Sequence, residues 1–353
     1  MTLRQPLDTG FKFHVRTQVS VGTEVLDHVF KIMESHALNY PLWLVPKGFH
    51  HAVVKKILTR LYGKTTYHSA QVDDGWSEDE LLSTTQTVAA GNFDCMIAVG
   101  NASCIGYAKQ ILLKTNGVHP LSLIVVPFGT LDGSECQGRF HTDSATVESE
   151  DTVAAHAIFD GRLTRLATRK EVARTMCTSL LHVTTSILGT PDPILMGFAE
   201  STFRHSHQTL ELILSASKES SSWVDCTLSA SAALHAAGVC ADNRGISTIV
   251  SFAETLAIPT LADRHQTAAA LLPFVMRYIG NTDPMLYKEI GKTLLGMDPV
   301  EFANAWVTLS EPKGTDRVIR QLCGDTHALL MNPRHIRELE PLLSLFPSQG
   351  GGM

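Results

Sequence analysis

Between residues 97 and 109 the chain reads Ile-Ala-Val-Gly-Asn-Ala-Ser-Cys-Ile-Gly-Tyr-Ala-Lys, an apolar run that breaks at Gly100 and resumes as a helix start. A strand, a tight turn and a helix in that order aim backbone N–H groups and the positive end of a helix dipole at one point, which suits a pyrophosphate. The candidate cofactor contacts are Gly100, Asn101, Ala102, Ser103 and Lys109. A second feature lies in Met-Cys-Thr-Ser-Leu-Leu-His-Val-Thr-Thr at 176–185, where Thr178 and His182 stand four residues apart. On a helix that spacing puts both side chains on one face. A histidine titrates near neutrality and can both accept and donate a proton, so His182 is the candidate catalytic residue. His205 and His207 are two apart, which sends them to different faces of a helix and argues against a shared metal.

These residues need elements to hold them. Leu42-Trp43-Leu44-Val45, Met96-Ile97-Ala98-Val99 and Leu123-Ile124-Val125-Val126 are continuous apolar runs, as strands buried on both faces require. Residues 65–72 read as another strand. Val53, Val54, Ile57, Leu58 and Leu61 share one helical face, and Ser77 with Glu80 forms a capping box for a helix running toward Ala90. This βαβ rhythm predicts a parallel sheet with helices on both faces. From about residue 161 the pattern changes. Thr168 and Glu171 open a helix through about residue 188, followed by helical segments at 193–217, 223–239, 246–256 and 268–278 and onward to 345. The expected division is an α/β domain over 1–160 and an all-helical domain over 161–353.

Length and composition bound the setting. The 353 residues suffice for two domains of ordinary size. Hydrophobic residues make up 44% and charged residues 18%, the balance of a soluble globular chain. A net charge of -6, with no Lys/Arg cluster, argues against nucleic acid. Seven cysteines without a CxxC pair read as reduced thiols of an intracellular protein. No apolar signal core follows Met1, and no uninterrupted apolar run reaches transmembrane length. The expectation is a cytoplasmic protein that meets a small molecule, with no nucleic-acid or membrane partner and a homodimer left open.

Several segments carry a resemblance. The 97–109 stretch resembles the AVGGGS-x-IG-x-AK segment of maleylacetate reductases, including Gly106. Residues 124–135, Ile-Val-Val-Pro-Phe-Gly-Thr-Leu-Asp-Gly-Ser-Glu, resemble that family's IPTT…GSE loop. Asn332-Pro333-Arg334 resembles its NPRP segment, with His335 in place of the last proline, and 11–22 resembles its first strand pair. The chain is thus similar, over nearly its full length and in one order, to the iron-containing alcohol dehydrogenase and maleylacetate reductase superfamily. The resemblance implies a dehydroquinate synthase-like fold: a Rossmann-like α/β N-terminal domain, an all-α C-terminal domain and a cleft between them where NAD(P)H and a metal would sit.

The departures from the family pattern bear on function. Its three loop glycines are here Gly100, Asn101 and Ala102. Asn tolerates positive φ, whereas Ala at such a position costs about 1 kcal/mol. Its Thr-Thr pair is Phe128-Gly129, which removes two hydroxyls and adds a bulky ring. Of the four metal ligands that the resemblance implies, Thr178 stands for the Asp and His182 is retained, while Ile246 and Thr260 stand for two later histidines. Val250 replaces a further family histidine. One nitrogen among four positions does not hold iron or zinc. The expected pocket is lined by Phe128, Thr178, His182, Ile246, Val250 and Thr260, apolar with few polar groups, as small-molecule sites usually are. Three functions follow. The preferred one is metal-independent, non-redox chemistry on an apolar small molecule with His182 as acid–base. The alternatives are an NAD(P)H-dependent reductase without metal and an inactive binding protein.

Overall fold

The computed structural model describes residues 15–47, 68–72, 76–115, 121–141, 146–187, 193–244 and 261–310. Six strands form one wholly parallel sheet: β1 (Gln18–Gly22), β2 (Pro41–Pro46), β3 (His68–Val72), β4 (Cys95–Gly100), β5 (Ser122–Pro127) and β8 (His156–Asp160). Their spatial order is β1-β8-β5-β4-β2-β3. A short antiparallel pair, β6 (Arg139–His141) and β7 (Thr146–Glu148), branches from the loop after β5.

Alternation along the strands divides their side chains between two cores, because successive Cβ atoms point to opposite faces. Leu42, Leu44, Met96, Ala98, Leu123, Val125, Ala157 and Phe159 pack under α2 (Glu78–Ala90) and α3 (Ala102–Thr115). Trp43, Val45, Cys95, Ile97, Val99, Ile124, Val126 and Ile158 face α1 (His28–Ser35), through Val29 and Met33. Both faces are covered, which is why these strands read as unbroken apolar runs. The Ser77–Glu80 capping box forms as expected, with Ser77 Oγ accepting from the Glu80 N–H at 3.2 Å. β8 and the β6–β7 pair were not anticipated from the sequence.

Strand order reverses at β2, since β3 lies on one side of it and β4 on the other. Ligands of open α/β sheets bind at such a switch point, beyond the carboxyl ends of the strands. Gly100 ends β4 there, and a Cβ built on it would lie 3.1 Å from Pro46 Cγ at the end of β2.

From residue 161 every described element is helical: α4 (Gly161–Thr164), α5 (Arg169–Ile187), α6 (Pro193–Ser215), α7 (Ser221–Arg244), α8 (Leu261–Thr282), α9 (Pro284–Glu289), a π-turn over 290–295 and α10 (Pro299–Ser310). α5 is the hub. Its Val172, Ala173, Met176, Cys177, Leu180, Leu181 and Val183 are buried among α6, α7, α8 and α10. The expected helices at 53–61 and 246–256 lie outside the described residues, while that at 268–278 extends to 261–282. Ser221–Ala241 of α7 is long and apolar enough to cross a membrane, yet most of it is buried inside the fold, as in a core helix.

α7 also touches the sheet, beside β1 and β8. Asp160 at the end of β8 fastens this junction. Its buried carboxylate accepts from Leu26 N at 2.7 Å, from Arg162 N at 2.8 Å and from the Arg162 guanidinium at 2.7 and 2.8 Å. A buried charge persists only when its lone pairs are answered in this way.

Candidate functional site

The β4–α3 turn is built by close approach. A Cβ on Gly100 would lie 2.6 Å from Cys104 Cβ, so only glycine lets the strand meet the helix here. Asn101 then acts as the helix cap. Its Oδ1 accepts from Cys104 N at 3.1 Å, and its carbonyl takes the first helical bond, from Ile105 N. Ala102 N donates to Thr130 O at 3.3 Å, and Phe128 N to Gly100 O at 3.0 Å. The turn and the loop after β5 are thus laced together. Positive φ occurs at Gly129, not in the turn, and the one described non-glycine residue with positive φ is Ala37. The strain expected at Ala102 is therefore absent, because Ala102 is already the first residue of α3.

Lys109 sits away from the turn. It is fully buried, and its Nζ donates to the Gln137 carbonyl. Beneath the turn it joins a polar cluster in the loop after β5. Glu135 is fully buried, and no side chain among the described residues hydrogen-bonds its carboxylate. Burial above all, and then the Asp132 carboxylate, push its pKa up to about 8 against the pull of Lys109. Ser134 Oγ and Gln137 Nε2 are also buried without partners.

On α5, Thr175, Thr178 and His182 fall at i, i+3 and i+7, on one face, and all three are buried. Ser186 Oγ bonds the His182 carbonyl at 2.8 Å. Thr175 Oγ1 accepts from Leu131 N at 3.2 Å, which ties this face to the loop after β5. Between them opens a small cavity of about 20 Å³, room for about one water, lined by Phe128, Leu131, Val172, Thr175, Thr227 and Ser231 among others. No lining residue is charged. Phe128 is half-buried, one side on the α1-facing core and the other on this cavity. The cavity brings Phe128 to Val172 and Thr175 of α5, while Thr178 and His182, further along the helix, are not among its lining residues. Ile246, Val250 and Thr260 lie outside the described residues. The cavity residues Thr175, Thr227 and Ser231 were not singled out from the sequence, although continuing the Thr178–His182 face one turn backward reaches Thr175.

No protein-family model matches the chain, and no curated protein is significantly similar to it in sequence. Solved structures are. A maleylacetate reductase from Agrobacterium tumefaciens superposes with a TM-score of 0.74 at 16% identity, covering 98% of this chain and 93% of its own. An iron-containing alcohol dehydrogenase from Corynebacterium glutamicum gives 0.75 at 17%, covering 97% and 98%. An NADH-dependent butanol dehydrogenase A from Thermotoga maritima gives 0.71 at 14%, covering 96% and 98%. This chain has their fold. The α/β sheet followed by an all-α part, expected from the sequence, is thereby established as the dehydroquinate synthase-like architecture of iron-containing alcohol dehydrogenases and maleylacetate reductases.

The residues present fit iron and a nicotinamide dinucleotide poorly. At the turn, Ala102 N and Cys104 N already serve Thr130 and Asn101, so two donors of the helix terminus point at the protein's own oxygens. Were Thr178 and His182 to face a metal, they would offer one neutral hydroxyl and one imidazole, a donor set too weak for iron. Among the described residues no three His, Cys, Asp or Glu side chains gather. His205 Nδ1 meets Ser229 Oγ on α7 at 3.1 Å, whereas His207 stacks against Phe302 of α10.

Proposed function

We propose that this chain is a metal-independent enzyme that performs non-redox chemistry, an isomerisation, cyclisation or elimination, on a largely apolar small molecule. The ligand would lie between an α/β domain ending near residue 160 and a helical domain beginning at 161. The observation that carries this reading is the pair of hydrogen bonds closing the β4–α3 turn, Asn101 Oδ1 to Cys104 N and Thr130 O to Ala102 N. A helix terminus that answers its own N–H groups offers less to a pyrophosphate than an open glycine turn does. The α5 face offers instead neutral hydroxyls and one imidazole beside an uncharged cavity.

His182 is the proton carrier. In an isomerisation it takes a proton from one carbon of the substrate and returns it to another, so no oxidant or reductant enters the balance. Thr178, one turn before it, hydrogen-bonds the substrate, and Phe128 packs on its apolar body.

A second reading, an NAD(P)H-dependent reductase acting without metal, is favoured by the fold shared with a maleylacetate reductase and an NADH-dependent butanol dehydrogenase. Product mass separates the two. A panel of carbonyl, enone and polyene substrates is incubated with and without NADPH and read by mass spectrometry. The proposal expects a product of unchanged mass, or one lighter by the eliminated group, without nucleotide. A product heavier by a pair of hydrogens, formed only with nucleotide, would establish the reductase.

A further inference from the structure

One turn beyond Ser231 on α7, His235 reaches toward the loop after β5, and its Nδ1 stands 3.3 Å from Cys136 Sγ. The other described thiols face oxygen. Cys104 donates to the carbonyls of Leu44 and Val99, Cys226 to that of Thr209 and Cys240 to that of Leu195, while Cys177 bonds Ser310 and Cys95 bonds Asp94. Burial pushes the Cys177 and Cys226 thiols up to about 12 and holds both protonated. Cys136 is 6% exposed, the most accessible of the six, the others lying at 0–2%. Its imidazole partner is half-buried, and burial lowers the His235 pKa, which favours the neutral ring that can take a thiol proton.

Two further groups converge here. A Cβ built on Gly238 of α7 would lie 3.4 Å from Gln137 Nε2 and 3.7 Å from Cys136 Cβ, so thiol, imidazole and amide gather on one stretch of helix. Gln137 is 3% exposed and its Nε2 has no acceptor. A buried amide N–H left unanswered costs free energy unless something else accepts from it. Glu135, next to Cys136 in sequence, has its carboxyl raised by burial, which favours the uncharged form beside a developing thiolate. Thr227 and Ser231, which line the cavity, stand on α7 at i-8 and i-4 from His235, so the pair lies about 6 Å along the helix from the cavity wall.

We propose that Cys136 is a nucleophilic thiol activated by His235, and that it adds to small neutral electrophiles of the α,β-unsaturated carbonyl class. His235 takes the thiol proton and the thiolate sulfur bonds to the β-carbon. The π electrons move toward the carbonyl oxygen, to which the Gln137 amide, without an acceptor among the described residues, donates. The proton then passes from His235 to the α-carbon, and the addition is neutral overall. The inference does not depend on His182 acting on any substrate.

The test uses N-ethylmaleimide, a neutral conjugate acceptor, in brief exposures of the full chain near neutral pH, with peptide mapping by mass spectrometry. Cys136 should be alkylated at least about tenfold faster than Cys95, Cys104, Cys177, Cys226 and Cys240, and His235→Gln should slow it by about tenfold without reordering the others. Cys136→Ser should abolish that fast site in a chain with an unchanged circular dichroism spectrum. Alkylation of Cys136 no faster than the other five, or at one rate in wild type and folded His235→Gln, would overturn the proposal. Should His235→Gln fail to fold, Cys136→Ser decides, and an undiminished fast equivalent in it would equally overturn the assignment.

Discussion

The β4–α3 turn and the α5 face answer their polar groups in opposite ways. At the turn, Asn101 Oδ1 accepts from Cys104 N and caps the helix. The helix terminus is now satisfied within the protein. α5 instead presents a polar face, with Thr175, Thr178 and His182 buried along it and a small cavity at Thr175. One region is satisfied by its own side chain, and the other carries buried hydroxyls and an imidazole. A fold can outlive one site while another persists, so function must be argued from each site separately.

If that contrast is right, damage to the two regions should differ in kind. The largest expected effect lies on α5. His182→Gln, assayed at matched folded fraction on any substrate the panel identifies, should lower turnover by about 10²–10⁴-fold, as loss of a general acid–base group does. A purely structural histidine would instead cost about 1 kcal/mol of stability and leave turnover per folded molecule unchanged. On the turn, effects should appear in stability alone. Gly100→Ala places a Cβ 2.6 Å from Cys104 Cβ and 3.1 Å from Pro46 Cγ, and urea unfolding should show a loss of about 1–3 kcal/mol. Asn101→Ala removes the cap and should cost about 1 kcal/mol. An Asn101→Ala protein as stable as wild type would mean that the turn is not held by its cap.

The smallest effect concerns the cluster beneath the turn. Glu135 has its pKa raised from an ordinary 4.5 to about 8, so between those values the folded chain holds a proton that the unfolded chain releases. Stability therefore falls as pH rises through this window. Glu135→Gln fixes the neutral form, and its Tm should decline less than that of wild type between pH 5 and 8. Parallel curves would show that Lys109 already holds Glu135 ionised.

The sheet was legible because burial on both faces leaves unbroken apolar runs, and Leu42–Val45, Met96–Val99 and Leu123–Val126 all became central strands. The capping boxes at Ser77 and Thr168 marked two helix starts correctly, since they are local in sequence. β8 escaped notice because His156 and Asp160 put polar ends on a core of three apolar residues. Lys109 was assigned to the phosphate loop from its motif position, yet its side chain turns inward to Gln137, a contact 28 residues away that no local pattern reveals. The same holds for Cys136 and His235, which are 99 residues apart. The Thr178–His182 face was readable from spacing alone. The cavity at its end depends on the loop after β5 folding back onto Thr175, which spacing does not encode.

The central claim, that the turn is closed to a dinucleotide by its own residues, is tested most directly by fluorescence titration of NADH and NADPH into wild type and into the Asn101→Gly/Ala102→Gly double variant. Wild type should show no saturable binding at micromolar nucleotide, and the variant, freed of its cap, should bind measurably more tightly. Low-micromolar binding by wild type, undiminished or weakened in the variant, would contradict the account and return the chain to the reductases whose fold it shares.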